Sequence, residues 1–150
     1  MITWHSIPFS ELSTQQLYQL LKLRVDVFVV EQDCPYPELD GKDTLAGVEH
    51  LLGYADAELV ACARLLPPGT SYDNPSIGRV ATKQSARGDG LGHQLIKEAL
   101  TRCETLWPSK TIDIGAQQHL ENFYASHGFE TISEMYLEDD IPHVDMRLEK

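Results

Sequence analysis

The sequence predicts a mixed α/β (α+β) fold, a mixed sheet flanked by helices. Three observations carry this. Long apolar stripes at helical spacing alternate with short apolar runs of strand length, the pattern of helices packed on a sheet. Paired strand-like runs stand near both ends, so hairpins accompany the crossovers and the sheet is not purely parallel. The chain has 150 residues, which is one domain's worth and enough to bury a core without staples.

The elements follow in order. A helix runs from about Glu11 to Val29, capped by Ser10 or Ser13, with Leu17, Leu20, Leu21, Arg24 and Phe28 recurring at helical spacing. Asp33–Gly47 is rich in Pro and Gly and reads as a loop. His50–Ala55 and Leu59–Leu66 form a hairpin around Ala57-Glu58, and Ile77–Thr82 is a third apolar strand after the turn-rich Pro67–Pro75. A second helix, Gly90–Leu106, carries Leu91, Leu95, Ile96, Ala99 and Cys103 on one stripe, and Pro108 stops it. Thr111–Ala116 is a strand, Gln117–His127 a helix closed by Gly128, and Phe129–Leu137 and His143–Leu148 are two closing strands around the acidic turn Glu138-Asp139-Asp140.

Composition excludes several functions. Acidic side chains number 23 against 12 basic ones, a formal net charge of −11. Such a chain repels phosphates, so neither nucleic acid nor an anionic membrane is an expected partner, and a cationic one is favoured. The longest apolar runs, Val27–Val30 and Leu51–Ala55, are far too short to span a bilayer. Met1-Ile2-Thr3-Trp4-His5 lacks the basic and apolar parts of a signal peptide. Cys34, Cys62 and Cys103 show no disulfide or redox spacing, so the expectation is a cytoplasmic protein with reduced thiols. The six histidines show no metal-ligand spacing, and no metal is expected.

The sharpest local signal is Arg87-Gly88-Asp89-Gly90-Leu91-Gly92, between a strand and a helix. Alternating glycines bare the backbone, and the helix N-terminus adds a favourable dipole, so the loop fits an anion such as a phosphate. His93 breaks the dinucleotide fingerprint, and no Lys-Ser/Thr pair follows as nucleotide hydrolases require. The alternative is a tight turn without a ligand. One strand further on comes Tyr124, followed by Gly128-Phe129.

These two motifs together resemble the GNAT superfamily of acyl-CoA N-acyltransferases. Further stretches are similar to its ElaA-like family: Arg24–Gln32, Cys34-Pro35-Tyr36 with Asp40 and Asp43, His50–Gly53, Ile77–Val80, Gly115-Ala116-Gln117 and Ile141-Pro142-His143. The resemblance spans almost the whole chain. It implies a strongly twisted mixed sheet splayed between its fourth and fifth strands, with acetyl-CoA entering the splay. Val80, Ala81 and Thr82 would offer backbone groups to the pantetheine arm. Arg87 would stand at the head of the loop, and the amides of Gly88, Asp89, Gly90, Leu91, Gly92 and His93 would hold the pyrophosphate. Gln117 stands where the superfamily often has an Asn that bonds the arm. The implied reaction is direct acetyl transfer to a primary amine: a small cationic metabolite, a peptide N-terminus or a lysine. A homodimer is the assembly the resemblance implies.

In that reaction Tyr124 is the expected general acid toward the leaving thiolate, and an amide near Val80 the oxyanion donor. Glu31, at the end of an apolar run, is the first candidate for the base, with His50 and His143 behind it. Cys34 as a covalent nucleophile is disfavoured, because no histidine accompanies it in sequence. The competing function is a non-catalytic acyl-CoA-binding sensor, which would keep the loop and need neither Tyr124 nor a base. A synthase acylating S-adenosylmethionine shares the implied fold, but the chain is short for one.

Overall fold

The computed structural model describes residues 1–150. Its first strand, β1 (Ile2–Pro8), was not expected from the sequence. Half-buried Ile2 and Trp4 alternate with exposed Thr3 and His5, an edge-strand pattern too short to stand out. The Trp4 ring lies over Gly53 of β2 (Glu49–Ala55), where a Cβ would sit 2.5 Å from the indole. β3 (Glu58–Leu66) and β4 (Ser76–Thr82) continue the antiparallel meander. Beyond them come β5 (Ile112–Gln117), β6 (Glu130–Thr131), β7 (Tyr136–Glu138) and β8 (Ile141–Leu148). The order across the sheet is β1-β2-β3-β4-β5-β8-β6, with β7 also paired to β8.

The expected strand Phe129–Leu137 is therefore two pieces. Ser133 interrupts it by accepting the Asp145 amide on its hydroxyl at 2.8 Å, which replaces a ladder bond. Asp139 and Asp140, with φ of 51° and 63°, make the expected acidic turn.

The first helix also differs from expectation. Ser13 caps it through a reciprocal bond pair with Gln16, and α1 runs Thr14–Arg24. Residues Val25–Glu31 then widen into a π-helical turn, with bonds such as Cys34 N–H to Val29 O at 3.0 Å. Leu20, Leu23 and Val27 pack on one sheet face against Leu52, Leu59 and Ala81. On the other face, α2 (Leu91–Leu106) buries Leu95, Ile96 and Ala99 against Leu51, Leu65 and Ile114. The third helix is shorter than expected, with α3 (Glu121–Ala125) preceded by a 3-10 turn and closed by Gly128 at φ +96°. No helix is long and apolar enough to cross a membrane.

Loop 33–47 has no regular structure, and charge holds it. Arg24, 1% exposed, donates Nε to Glu38 at 2.5 Å and Nη1 to Asp43 at 2.7 Å. Arg64, inside apolar β3, reaches Asp40 at 2.8 and 2.9 Å and Asp43 at 3.0 Å. Arg79 of β4 bonds Glu38 Oε2 at 3.0 Å and lies over the Tyr36 ring, whose hydroxyl donates to Glu38. Three guanidiniums thus meet three carboxylates. Burial opposes ionisation of Asp40 and Asp43, but the guanidiniums of Arg64 and Arg24 outweigh it and hold both carboxyls below their usual range.

Removing one partner of this network leaves a buried charge bare. Arg24→Met is expected to cost about 3–5 kcal/mol in urea unfolding. Lys22→Ala, which breaks only the exposed pair with Asp26, should leave the midpoint where it is. A second prediction concerns pH. Burial lowers the pKa of His50 from 6.5, so its contribution is complete above 6.5 and lost as pH falls toward the lower folded value. Asp40 and Asp43 add a second loss, which begins only below the ordinary carboxyl value of 3.8. Unfolding measured across pH should show both limbs, and His50→Gln should shrink the upper one, to which His127, also lowered by burial, contributes the remainder.

Candidate active site

The strands β4 and β5 are parallel and share one register pair, Ser76 with Asp113, fastened by Asp113 N–H to Pro75 O at 3.0 Å. Past that point they diverge, so the β4 edge has no strand partner. The gap opens a cleft of ≈ 850 Å³, lined by Gly78–Thr82 of β4, Ile114–Gln117 of β5, the π-helical turn, α3 and the β7–β8 hairpin. This is the splay expected between the fourth and fifth strands. Val80, Ala81 and Thr82 all face it. Just before them Arg79 has φ +48° and breaks the register with β3. A left-handed non-glycine residue costs about 1–2 kcal/mol, and the bonds of Arg79 to Glu38 hold it there. The resulting bulge turns the β4 backbone toward the cleft.

At one end of the cleft lies the glycine loop. Gly88 (φ +114°) and Gly90 (φ +77°) adopt backbone angles that side chains disfavour. No amide from Gly88 to His93 donates to any acceptor in the chain, and no side chain caps α2. Six bare N–H groups at the start of a 16-residue helix form an anion cradle. The Asp89 side chain is exposed, so its amide is its contribution. Gly92 lies against Phe123, where a Cβ would come within 3.4 Å of the ring. The His93 ring stacks on Phe123 and shares a hydrogen bond with His127 at 2.9 Å.

Arg87 is engaged within the chain. It donates to the Thr82 carbonyl at 2.8 Å and makes a two-pronged pair with Glu31 at 2.6 and 2.9 Å. The structure thus brings Glu31 to the cleft, but with both carboxylate oxygens occupied by Arg87. Gln117 also lines the cleft, and its amide donates to Gln32 Oε1 at 3.2 Å, linking β5 to the π-helical turn.

Tyr124 of α3 is buried, packed edge-on against Phe123 and Phe129, and it borders the cleft. Its hydroxyl has no hydrogen-bond partner in the chain. Burial pushes this phenol up to about 12, so it is protonated at neutral pH. His143 reaches the cleft from β8. Its Nδ1–H donates to Ile141 O at 2.8 Å, and its Nε2 lies 3.5 Å from Glu138. His50 does not reach the cleft. It borders a separate apolar cavity of ≈ 210 Å³ under α1, where its Nε2–H donates to Asp43 O. Cys34 lines the cleft with no histidine against it; its thiol faces Asp139 O at 3.6 Å.

Sequence reading missed the opposite end of the cleft. There Tyr72 and Tyr136 both donate to Asp145 Oδ1, at 2.9 and 2.7 Å. Tyr136 and Asp145 meet through the pairing of β7 with β8, and Tyr72, 73 residues before Asp145, joins them only in the folded chain. The buried arginine network was also missed, though Arg64 within the apolar run Leu59–Leu66 and Arg24 within a helical stripe were its signal.

An open β4 edge, a bare-amide loop and a buried phenol meet at one cleft. The acetyltransferase (GNAT) domain family matches residues 24–150, and the chain belongs to that family. It is 47% identical over 149 residues to protein ElaA of Escherichia coli K12, covering 99% of this chain and 97% of that one. The crystal structure of E. coli ElaA superposes with a TM-score of 0.93 at 46% identity, covering 99% and 100% of the two chains. An acyl-CoA N-acyltransferase from Pseudomonas aeruginosa does so with a TM-score of 0.93 at 45% identity, over 98% and 99%. A GNAT acetyltransferase from Elizabethkingia anophelis, solved with acetyl-CoA bound, shares the fold at 17% identity, with a TM-score of 0.64 over 99% and 98%.

The Tyr124 environment can be read directly. Subtracting the tyrosinate titration of Tyr124→Phe from that of the parent should leave one phenol transition near 12 rather than at the ordinary 10.

Proposed function

We propose that this chain is an acetyl-CoA-dependent N-acetyltransferase acting on a primary amine, with Tyr124 as general acid. The observation that carries this is the Tyr124 hydroxyl, protonated and without a partner, bordering a cleft that reaches the glycine loop at Arg87 and Gly92 and runs along the open β4 edge. The residues suit coenzyme A: the cradle matches a pyrophosphate in charge and donor count, and the unpaired β4 edge at Val80–Thr82 matches the amides of a pantetheine arm. Membership of the GNAT family supports the reading, as does the acetyl-CoA bound to the Elizabethkingia relative.

Bound acetyl-CoA supplies an acyl thioester. The chain supplies position and protons. The cradle and the β4 edge fix the thioester in the splay, and the backbone after the Arg79 bulge supplies the oxyanion donor near Val80. Tyr124 gives its proton to the departing sulfur. An incoming ammonium must first lose a proton, and Glu31 and His143 are the acceptors at hand. His143 shares its Nε2 with Glu138 at 3.5 Å, and Glu31 shares its carboxylate with Arg87. Gln117 keeps the amide that the pantetheine arm would meet, once it gives up Gln32. The acceptor is a small cationic amine, a peptide N-terminus or a lysine, and three unpaired cysteines suit a cytoplasmic enzyme.

Two measurements test this. Acetyl-CoA at about 100 times its Kd should stabilise the protein by roughly 2.7 kcal/mol, read as a melting shift that NAD and ATP do not produce. Tyr124→Phe should lower kcat for thiol release by about 10²–10⁴-fold while the acetyl-CoA melting shift persists. Unchanged turnover in that variant would remove Tyr124 as the acid, and no shift in the parent would remove the cofactor.

A further inference from the structure

The cleft holds a carboxylate that the reaction proposed above leaves unused. Asp145 of β8 stands opposite Gly115 of β5. Its Oδ1 accepts two phenol hydroxyls, Tyr72 at 2.9 Å and Tyr136 at 2.7 Å, and its amide is fixed on Ser133. Burial and this carboxylate raise both phenols above their ordinary value of 10, so they stay protonated and act as donors. Asp145 Oδ2 accepts nothing, and no Lys, Arg or His lies in ion-pair reach. Gly115 keeps the space before it clear: a Cβ there would come 2.9 Å from Tyr72 Oη and 3.1 Å from Tyr136 Oη.

A carboxylate with a structural role is different. Asp113, on the same face of β5, has both oxygens taken, by Arg147 at 2.7 Å and Asn74 at 3.1 Å. Asp145 is positioned as carefully but lacks a cation. The other charges nearby do not supply one. Glu138 and Asp139 add negative charge to this end of the cleft. Arg64 and Arg79 are neutralised in the buried network, Arg87 by Glu31, and Lys42 donates to Ser71.

We infer that Asp145, oriented by Tyr72 and Tyr136, is a subsite for a second, protonated nitrogen of the acceptor, so that the acceptor is a diamine or polyamine. Contact with a carboxylate favours the charged form of an amine, and an ammonium has no lone pair with which to attack. The nitrogen held at Asp145 is therefore not the one acetylated, and the nucleophile is another nitrogen of the same molecule. Asp145 acts in specificity, not in proton transfer. This inference rests on the amine-acetyltransferase reading.

The test compares 1,4-diaminobutane with butylamine and 4-amino-1-butanol in thiol release from acetyl-CoA. The diamine should exceed both by at least about tenfold in kcat/KM, mainly through KM. Asp145→Asn keeps the shape and the two phenol bonds, and should bring that preference close to one. Tyr72→Phe, which removes one orienting bond, should reduce it partway. Equal use of diamine and monoamine by the parent, or an unchanged preference in Asp145→Asn, would overturn the inference. If no amine is acetylated, the proposed activity fails, and calorimetric titration of 1,4-diaminobutane into CoA-saturated protein still reads the subsite. Binding that weakens at least tenfold in Asp145→Asn supports it, and no binding by the parent overturns it. Melting curves of both variants establish that they fold.

Discussion

Arg24 projects from α1 into a place that water does not reach, and the order of loop 33–47 follows from the need to neutralise it. The loop supplies Glu38 and Asp43, which in turn require Arg79 and Arg64 from the sheet. Each charge is compensated by more than one partner, so the network ties α1, the loop, β3 and β4 into one body. Swapping such a cluster for apolar side chains of matching volume can stabilise a protein, whereas removing one member leaves its partners bare. What this network secures is geometry. It anchors Arg79 in a left-handed conformation, and that bulge aims the backbone of β4 into the cleft.

From that aim the two halves of the site follow. On one side of the splay, amides without partners await an anion, and a phenol kept protonated by burial stands at the edge. On the other, a carboxylate held by two phenols stands among further acids. The chain is acidic overall, yet its cradle carries donors and its far end carries acceptors. Two bridges cross the space between, Arg87 with Glu31 and Gln117 with Gln32. Both begin at the end of the π-helical turn, which places Glu31 against Arg87 of the glycine loop and Gln32 against Gln117 of β5.

Much of this was legible in the chain itself. The capped first helix, the β2–β3 hairpin, the long α2 stripe, the glycine loop and Gly128 as a helix stop are local, because periodicity and backbone freedom within a few residues determine them. The differences from expectation have other causes. β1 carries only two inward apolar residues. The strand after Phe129 breaks because the Ser133 hydroxyl captures a distant amide. α1 widens into a π turn because its end packs on the sheet, which no periodicity in Val25–Val30 reports.

The sequence alone determined the fold class, the cradle and the place of Tyr124, since each rests on a short motif whose physics is complete within itself. Tertiary structure alone decided the rest. It paired Arg87 with Glu31, removed His50 to another cavity, brought His143 to the cleft and gathered Tyr72, Tyr136 and Asp145 around Gly115. The physical reason is that a charged or polar side chain takes its meaning from what lies within about 3 Å of it, and for these residues that neighbour lies on another element of the fold.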